Sequence, residues 1–227
     1  SPYMATGSAL SVAAGRISYT YGLSGSSMSV DTACSASLVA LHVARGELLR
    51  SSAQSSLAGG VNLILSEVTM SAIQRASMLA VDGRCKVLDS RADGYVRGEA
   101  CGLLLLRGCP DVAAACVDGI ALVGSASNQD GRSSSLTAPN GPSQQGVLGG
   151  ALRDACACPG LVSDLQMHGT GTSLGDPIEV GAAGAVLMDG RSHPLTLSAV
   201  KATVGHSEPA AGVAGIMQSV SSLSSRS

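Results

Sequence analysis

The sequence predicts an α/β fold. Short apolar, β-branched runs alternate along the chain with segments whose apolar side chains recur at helical spacing. A cysteine or histidine follows three of these runs closely, and α/β folds carry their chemistry at the ends of strands. The chain has 227 residues, of which 45% are hydrophobic, and this is enough to bury the core of one domain.

The first half of the chain predicts three strands and three helices. Residues 27–33 are apolar and β-branched enough for a short buried strand, and residues 35–49 carry Leu38, Leu41 and Leu49 at helical spacing. The same patterns predict a helix at 8–21, a strand at 57–65, a helix from Glu67 and a strand at 101–107.

The second half continues the alternation. The predicted elements are strands at 120–126, 163–167 and 195–200, and helices at 142–157, 176–188 and from Pro209. Residues 128–144, rich in Gly, Pro and Ser, predict a long loop of the kind that borders functional sites.

Cys34 is the first candidate for chemistry. It lies between the strand at 27–33 and the helix at 35–49, where a helix N-terminus presents unpaired N–H groups and a positive dipole end. That setting favours a reactive thiolate. A cysteine can equally be a small apolar core residue. The remaining cysteines have no paired zinc spacing and receive this ordinary interpretation: Cys85, Cys101, Cys109, Cys116, Cys156 and Cys158.

Two histidines share the strand-end setting. His168 follows the strand at 163–167 and opens the run His-Gly-Thr-Gly-Thr, whose glycines admit a ligand closely and whose threonines offer hydroxyls. His206 follows the strand at 195–200 and precedes an Ala- and Gly-rich helix. A cysteine with two histidines suits thioester chemistry, in which a thiolate carries an acyl group and imidazoles meet charge at a carbonyl. The other histidines, His42 and His193, are interpreted as ordinary core or surface residues.

Eight ordered motifs give the chain a family resemblance. They include Val30-Asp-Thr-Ala-Cys34-Ser, His168-Gly-Thr-Gly-Thr and Lys201-Ala-Thr-Val-Gly-His206, with Asn128-Gln-Asp-Gly and Leu136-Thr-Ala-Pro-Asn-Gly between them. The chain resembles the β-ketoacyl synthase (ketosynthase) domain of a type I polyketide synthase. The resemblance implies a thiolase-like α/β fold of two pseudo-duplicated βαβ halves in an αβαβα sandwich. Residues 1–117 would hold the nucleophile and residues 118–227 both histidines.

The resemblance also implies a role for each candidate residue. Cys34 would be the nucleophile that accepts an acyl chain from an acyl carrier protein. His168 and His206 would bind the thioester carbonyl of a malonyl-type extender and stabilise the enolate that forms as carbon dioxide leaves. Attack of that enolate on the acyl-cysteine would extend the chain, and two histidines rather than a His/Asn pair indicate elongation.

Supporting roles follow from the same resemblance. Lys201 would pair with Glu179 beside the histidines, although an ordinary surface ion pair, worth roughly 0–1 kcal/mol, is the alternative. Thr170 and Thr172 would contact the phosphopantetheine arm of the carrier. A dense run of charges is interpreted as a structural network near the site: Asp89, Arg91, Asp93, Arg97 and Glu99.

Composition and resemblance together set the expected partners. The net charge is −2, and the sequence has neither a basic patch nor an aromatic platform, which argues against nucleic acid. No apolar run reaches membrane-spanning length, and no signal peptide is recognised. Seven cysteines without a pairing framework fit a reducing compartment, so we expect a cytoplasmic protein, with a plastid as the alternative. The resemblance implies an acyl carrier protein and an acyltransferase domain as partners, a homodimer, and no permanently bound cofactor or metal.

The resemblance implies, further, a chain truncated at both ends. The opening strand and helices and the final strands, with a Gly-Phe-Gly-Gly-type loop, are expected to lie outside it, in a larger multidomain synthase. The 227 residues by themselves are therefore expected to be aggregated or inactive.

Two alternatives to an elongating enzyme stay open. One is a non-elongating relative, a decarboxylase or chain-length factor; such relatives replace the cysteine, commonly with glutamine, so Cys34 argues against it. The other is a non-catalytic fragment or scaffold of a polyketide or fatty acid synthase.

Overall fold

The computed structural model describes residues 2–50, 53–109 and 119–225. Helices and strands alternate through them, as the sequence predicts. The elements before residue 110 are α1 (Met4–Ser8), α2 (Leu10–Tyr21), α3 (Ala36–Arg50), β1 (Ser55–Asn62), α4 (Glu67–Arg75) and β2 (Ala100–Arg107). Those after residue 118 are α5 (Gly141–Asp154), β3 (Asp164–Gln166), α6 (Gly175–Leu187), β4 (Thr196–Ser198), α7 (Lys201–Val204) and α8 (Ala211–Ser224).

The described strands form two sheets. β1 and β2 pair antiparallel, with Gly60 opposite Gly102, and β3 and β4 pair parallel, with Gln166 opposite Ser198. The parallel pair ends at one edge, just before the positions of His168 and Lys201. The crossover through α6 therefore brings the carboxyl ends of both strands to the same edge of the sheet, where α/β folds place functional side chains.

A small apolar core joins α3, α8 and the antiparallel sheet. Leu41, Ala44 and Ala58 are buried together, with Ile216 packed against them. The sheet approaches the start of α8 so closely that a Cβ at Gly60 would lie 2.7 Å from the carbonyl oxygen of Pro209. Only glycine fits that contact, which sets the segment after His206 directly against the sheet.

Polar contacts join the two halves of the chain. Arg45 of α3 forms an ion pair with Asp154 at 2.7 Å, and His42 Nδ1 lies 2.8 Å from Ser125 Oγ. The structure thus gives His42 a structural bond on a helix face, as the sequence predicts. The predicted boundary at 117/118 falls outside the described residues and stays a prediction.

Two predicted strands are wrong. Residues 27–33 and 120–126 form no strand, since within the described chain neither has a neighbouring strand to take its hydrogen bonds. Side chains serve their main chain instead: Asp31 accepts the Ala33 N–H, Asp154 accepts the Ser125 N–H, and Arg45 donates to the Val123 carbonyl. The other predicted elements are confirmed within a few residues, whereas the short helix α7 was not predicted. Among the described helices, none has the length and apolar character that crossing a membrane requires.

The antiparallel sheet has one covered and one open face. Leu104 and Leu106 pack on the core, whereas Leu57, Leu103 and Leu105 point away from it and are 46–56% exposed. An open apolar face on a two-stranded sheet, with both of its edges unpaired in the described chain, favours association with other molecules.

We therefore predict that the 227-residue chain expressed by itself self-associates through this face. Replacing Leu103 and Leu105 together by lysine should shift it toward smaller species in size-exclusion chromatography with light scattering, because the change puts charge on the apolar face without entering the core. Val81→Lys, at a fully exposed position outside the sheet, is the control. A monodisperse unmodified chain would contradict the prediction.

Candidate active site

Cys34 lies in a strained turn that leads into α3. The turn is a short 3-10 helix, Ala33–Ser35, and Ala33 has φ of 54°, a left-handed conformation that costs a non-glycine residue about 1–3 kcal/mol. Asp31 accepts the Ala33 N–H at 3.2 Å, and the Ser35 hydroxyl donates to the Thr32 carbonyl at 2.9 Å. These bonds hold the turn, so the half-buried Cys34 stands at the helix N-terminus, as predicted, although a loop and not a strand precedes it.

The main chain at His168 is held from two sides by charged side chains. Glu179 of α6 accepts the backbone N–H groups of His168 and Gly169, the latter at 2.8 Å. The Lys201 ammonium donates to the His168 carbonyl at 2.6 Å. Lys201 is 4% exposed, so its ammonium is committed to this loop.

The predicted ion pair between Lys201 and Glu179 is therefore wrong as a direct contact. Within the described chain no salt bridge within 4.0 Å joins them, because each uses its charge on the main chain of the His168 loop. Their charges still act on each other, since burial lowers the pKa of Lys201 and the Glu179 carboxylate offsets part of that lowering.

A buried aspartate, missed by the sequence analysis, completes the loop. Asp176 is 3% exposed and accepts the Gly171 N–H at 3.1 Å and the Leu88 N–H at 3.0 Å. Gly171 has φ of 77°, and a Cβ there would lie 2.6 Å from the backbone nitrogen of Lys86. The loop is thereby pinned to the segment at 85–95. An acid in the first turn of the following helix was the only signal that marked Asp176 in the sequence.

His206 is bound at its main chain and at its ring. Its N–H donates to the Val96 carbonyl at 2.7 Å, and its carbonyl accepts the Gly98 N–H at 2.8 Å. The ring nitrogen Nδ1 accepts the backbone N–H of Glu208 at 3.3 Å. A neutral ring that accepts at Nδ1 carries its proton on Nε2. His206 is thereby prepared to donate a hydrogen bond from Nε2.

The structure brings the three predicted residues together. Cys34 Sγ and ring nitrogens of His168 and His206 all lie within 4.8 Å of one another. The two imidazole rings are perpendicular, with centroids 5.4 Å apart, and the Tyr95 ring makes an edge contact with His206 at a centroid distance of 5.0 Å. A thiol and two imidazoles thus lie close enough together to act on one small group.

Burial and Lys201 keep both imidazoles neutral. Desolvation, and then the Lys201 ammonium, lower the pKa of His206 to about 4. The same causes, with His206 added, lower the pKa of His168. His168 as a residue is exposed to solvent, and solvent offsets part of this effect there. Near neutral pH the site therefore contains neutral hydrogen-bonding rings beside one fixed positive charge.

The same three residues form a possible set of metal ligands, and the tautomer of His206 argues against that use. A metal bound at Nε2 requires the proton on Nδ1, where it would face the Glu208 N–H that now donates to that nitrogen. The geometry favours donation of a hydrogen bond over coordination of an ion.

Thr170 and Thr172 lie in the same loop, with their hydroxyls 3.2 Å apart. Thr172 also accepts the Gly175 N–H at 3.2 Å, which leads the loop into α6. Thr170 is 8% exposed, and Thr172 is more accessible. Both stand beside the site, and their predicted contact with a phosphopantetheine arm stays a prediction.

The predicted network of acidic and basic residues is only partly present. Asp89 and Arg91 bind each other, whereas Glu99 accepts the Ile64 N–H. Asp93 binds Lys86, and Arg97 binds Glu208, 111 residues away. The run therefore divides among separate contacts, and only Arg97 reaches the neighbourhood of His206, by an isolated β-bridge.

The other described cysteines and His193 are not members of this cluster. Cys85 is buried, and its sulfur bonds to the main chain of Val96, which is a structural contact. His193 uses its carbonyl to accept from Arg191. The exposed cysteines are Cys101, Cys109, Cys156 and Cys158, while Cys116 falls outside the described residues.

Two family models match the chain. Residues 1–111 match "Beta-ketoacyl synthase, N-terminal domain", and residues 120–227 match "Beta-ketoacyl synthase, C-terminal domain".

Similar proteins include bacterial polyketide synthases. The chain is 47% identical over 224 residues to polyketide synthase GfsA of Streptomyces halstedii, and 46% identical to pikromycin synthase component PikAII of Streptomyces venezuelae. Each match covers 97% of this chain but only 3% and 6% of those proteins.

Solved ketosynthases share the fold. The ketosynthase from module 6 of the bacillaene synthase of Bacillus subtilis 168 gives a TM-score of 0.86 at 36% identity, over 94% of this chain and 39% of that one. The oxazolomycin ketosynthase domain OzmH KS7 of Streptomyces albus gives 0.85 at 33% identity, over 94% of this chain and 37% of that one. The fold is thus the thiolase-like α/β fold that the motifs predicted.

We predict that removing the Lys201 charge raises the pKa of His168. A nearby cation disfavours the imidazolium, so in Lys201→Met the neutral fraction should begin to fall at a higher pH on acidification. Diethyl pyrocarbonate modifies neutral imidazole, and the rate at His168 can be followed by peptide mass spectrometry in the natural protein that contains this chain. Lys86→Met, which removes a lysine paired with Asp82 and Asp93, is the control. Identical pH profiles for Lys201→Met and the unmodified protein would refute the electrostatic account.

Proposed function

The chain belongs to the β-ketoacyl synthase family, and from that premise we propose that its site carries out the decarboxylative Claisen condensation that extends a polyketide chain. One observation supports this most directly: Cys34 Sγ lies within 4.8 Å of ring nitrogens of two imidazoles. The chain spans only 3% and 6% of the two polyketide synthases named above, so the reaction is proposed from the site itself.

The first half-reaction loads the cysteine. The Cys34 thiol gives up its proton and attacks the carbonyl carbon of an acyl thioester, so that a new carbon–sulfur bond forms. The bond from that carbon to the donor sulfur breaks, and the donor leaves as a thiol that takes up the proton. The position of Cys34 at the start of α3 supports this role, since the positive end of the helix dipole stabilises negative charge that develops at the thioester carbonyl oxygen.

The second half-reaction makes the new carbon–carbon bond. In a malonyl thioester bound beside the histidines, the bond to the carboxylate breaks, carbon dioxide leaves, and the electron pair moves to the thioester oxygen. His206 is held with its proton on Nε2 and donates to that oxygen, and His168 stands across from it at 5.4 Å between ring centroids. The enolate carbon then attacks the acyl-Cys34 carbonyl, and the thiolate leaves as the β-ketoacyl product forms.

Lys201, Glu179 and Asp176 act on this chemistry through the His168 loop. They bind its main chain and touch no reacting atom, so they are positioning residues. The donors therefore occupy their places before charge develops, which is the arrangement that makes electrostatic stabilisation effective.

The partners follow from this chemistry. Thr170 and Thr172 border the approach to the cluster and offer hydroxyls to the phosphopantetheine arm of an acyl carrier protein, which would present both substrates. An acyltransferase domain would load the extender, and the ketosynthase would act as a homodimer without a permanently bound cofactor. The relatives described above are bacterial. They support a cytoplasmic location and give no support to a plastid location.

We predict that Cys34 is the cysteine acylated by a substrate thioester. After treatment of the natural protein with an acyl-pantetheine thioester or cerulenin, mass spectrometry should find the label on the Cys34 peptide, because no other described cysteine faces two imidazoles. Exposed Cys156 and Cys158 are internal controls for non-specific labelling. A label on those residues with Cys34 unmodified would defeat the assignment.

A second prediction separates the two half-reactions. His168→Ala and His206→Ala should lower malonyl decarboxylation by about 100- to 1000-fold each, while Cys34 still takes up an acyl group, because the histidines act on the enolate. His42→Ala, which removes a histidine bound to Ser125 outside the site, is the control. Full decarboxylation by either site variant would rule out the proposed role. A site that decarboxylates malonyl thioester but forms no β-ketoacyl product would instead indicate a non-elongating relative.

A further inference from the structure

The tautomer of His206 depends on one backbone N–H, that of Glu208. Glu208 has φ of 46°, in the left-handed region, where a non-glycine residue is disfavoured by about 1–3 kcal/mol. In that conformation its N–H reaches His206 Nδ1 at 3.3 Å. Something must hold residue 208 in this conformation for the ring to keep its proton on Nε2.

The side chain of Glu208 is gripped by Arg97. The guanidinium binds the carboxylate through two bonds, Nε to Oε1 at 2.6 Å and Nη2 to Oε2 at 2.8 Å. Two parallel bonds fix the plane and the position of a carboxylate, which a single contact does not. Arg97 itself forms a β-bridge with His206, and the flanking Val96 and Gly98 bind the His206 main chain. One short segment thus holds both His206 and the residue that orients its ring.

The burial of this ion pair calls for an explanation. The Arg97 side chain is 5% exposed and that of Glu208 is 19% exposed, and Arg97 Nη1 is buried with no hydrogen-bond partner. Buried pairs with an unsatisfied donor contribute little to stability, since desolvation offsets their attraction. A role in holding the backbone conformation of residue 208 would explain why the pair is buried, whereas a contribution to stability would not.

We propose that the Arg97–Glu208 ion pair is a positioning device that holds residue 208 in the left-handed conformation and so fixes His206 with its proton on Nε2. The inference rests on the proposed condensing function and adds two positioning residues to it. Neither residue touches substrate; both act through the His206 ring.

Because the His206 ring is neutral, its tautomer decides whether Nε2 can donate a hydrogen bond. The titratable and charged groups around His206 are Cys34, Cys85, Tyr95, His168, Lys201 and the Arg97–Glu208 pair. Lys201 and burial keep the ring neutral, so one nitrogen alone carries a proton. If Nδ1 carries it, Nε2 offers a lone pair and has nothing to donate to an enolate oxygen.

The sharpest test compares two variants of one residue in the natural protein that contains this chain. Glu208→Ala and Glu208→Gly both remove the carboxylate and leave Arg97 equally unpaired, but glycine adopts positive φ readily. We expect Glu208→Ala to lower kcat for malonyl-pantetheine decarboxylation by about 100-fold, with KM little changed, and Glu208→Gly to recover most of that loss. Equal losses in the two variants would overturn the proposal.

Two further variants serve as controls for a folding defect. Arg97→Gln with Glu208→Gln removes both charges while keeping similar shapes, so no unpaired charge is buried. It should show the same kcat loss as Glu208→Ala. Arg91→Gln breaks the exposed Asp89–Arg91 pair and should leave kcat unchanged. A double variant with full kcat would overturn the proposal.

The pH profile distinguishes a tautomer effect from general damage. Without the Glu208 N–H at Nδ1 the imidazolium is less disfavoured, and an imidazolium donates from both nitrogens. The kcat defect of Glu208→Ala should therefore shrink as the pH is lowered from about 7 toward about 4, where burial and Lys201 place the pKa of His206 and where the ring protonates. A defect of constant size across that range would indicate a merely structural role.

The tautomer can also be read without turnover. Solid-state 15N NMR of histidine-labelled protein shows which ring nitrogen carries the proton, and His206→Gln identifies the signal. The proposal requires protonated Nε2 in the unmodified protein and a shift toward Nδ1 in Glu208→Ala. If the unmodified protein decarboxylates nothing but the NMR shift occurs, the positioning role stands and the condensing function fails. If it decarboxylates normally and the tautomer does not change, the positioning role fails.

Discussion

The site depends on main-chain hydrogen bonds made by charged side chains that are buried beneath it. Glu179, Asp176 and Lys201 bind the backbone at and after His168, and the Arg97–Glu208 pair governs the N–H beside His206. Burying charge is expensive unless it is matched by hydrogen bonds, and here the matched groups are the peptide units that carry the catalytic rings. The fold thus uses its charge to fix two loops at the end of a sheet.

Electrostatics and geometry act together at those loops. Burial and the Lys201 ammonium disfavour protonation of His206, and the Glu208 N–H selects which nitrogen of the neutral ring keeps its proton. A neutral donor aimed before reaction begins needs no reorganisation when an enolate forms. Cys34 lies on a strained turn outside both loops, so in the proposed reaction acyl loading and decarboxylation would use different parts of one cluster.

The sequence predicted the elements and the reacting residues better than their connections. Cys34, His168 and His206 were visible because each follows an apolar run and opens a glycine- or alanine-rich segment. The strands at 27–33 and 120–126 failed because a strand depends on a neighbour that local pattern does not encode. Asp176 and the Arg97–Glu208 pair were missed because their roles arise from contacts up to 111 residues apart. The direct Lys201–Glu179 ion pair is absent because both side chains bind the main chain of the His168 loop instead.

The central claim is that both imidazoles receive one thioester oxygen beside Cys34. A crystal structure of the natural protein that contains this chain, bound to a non-hydrolysable malonyl-pantetheine amide, tests it most directly. The account predicts the carbonyl oxygen at hydrogen-bond distance, about 2.7–3.1 Å, from a ring nitrogen of both His168 and His206, with the malonyl carbon facing Cys34 Sγ. A carbonyl oxygen bound elsewhere, with the histidines unengaged, would contradict the account.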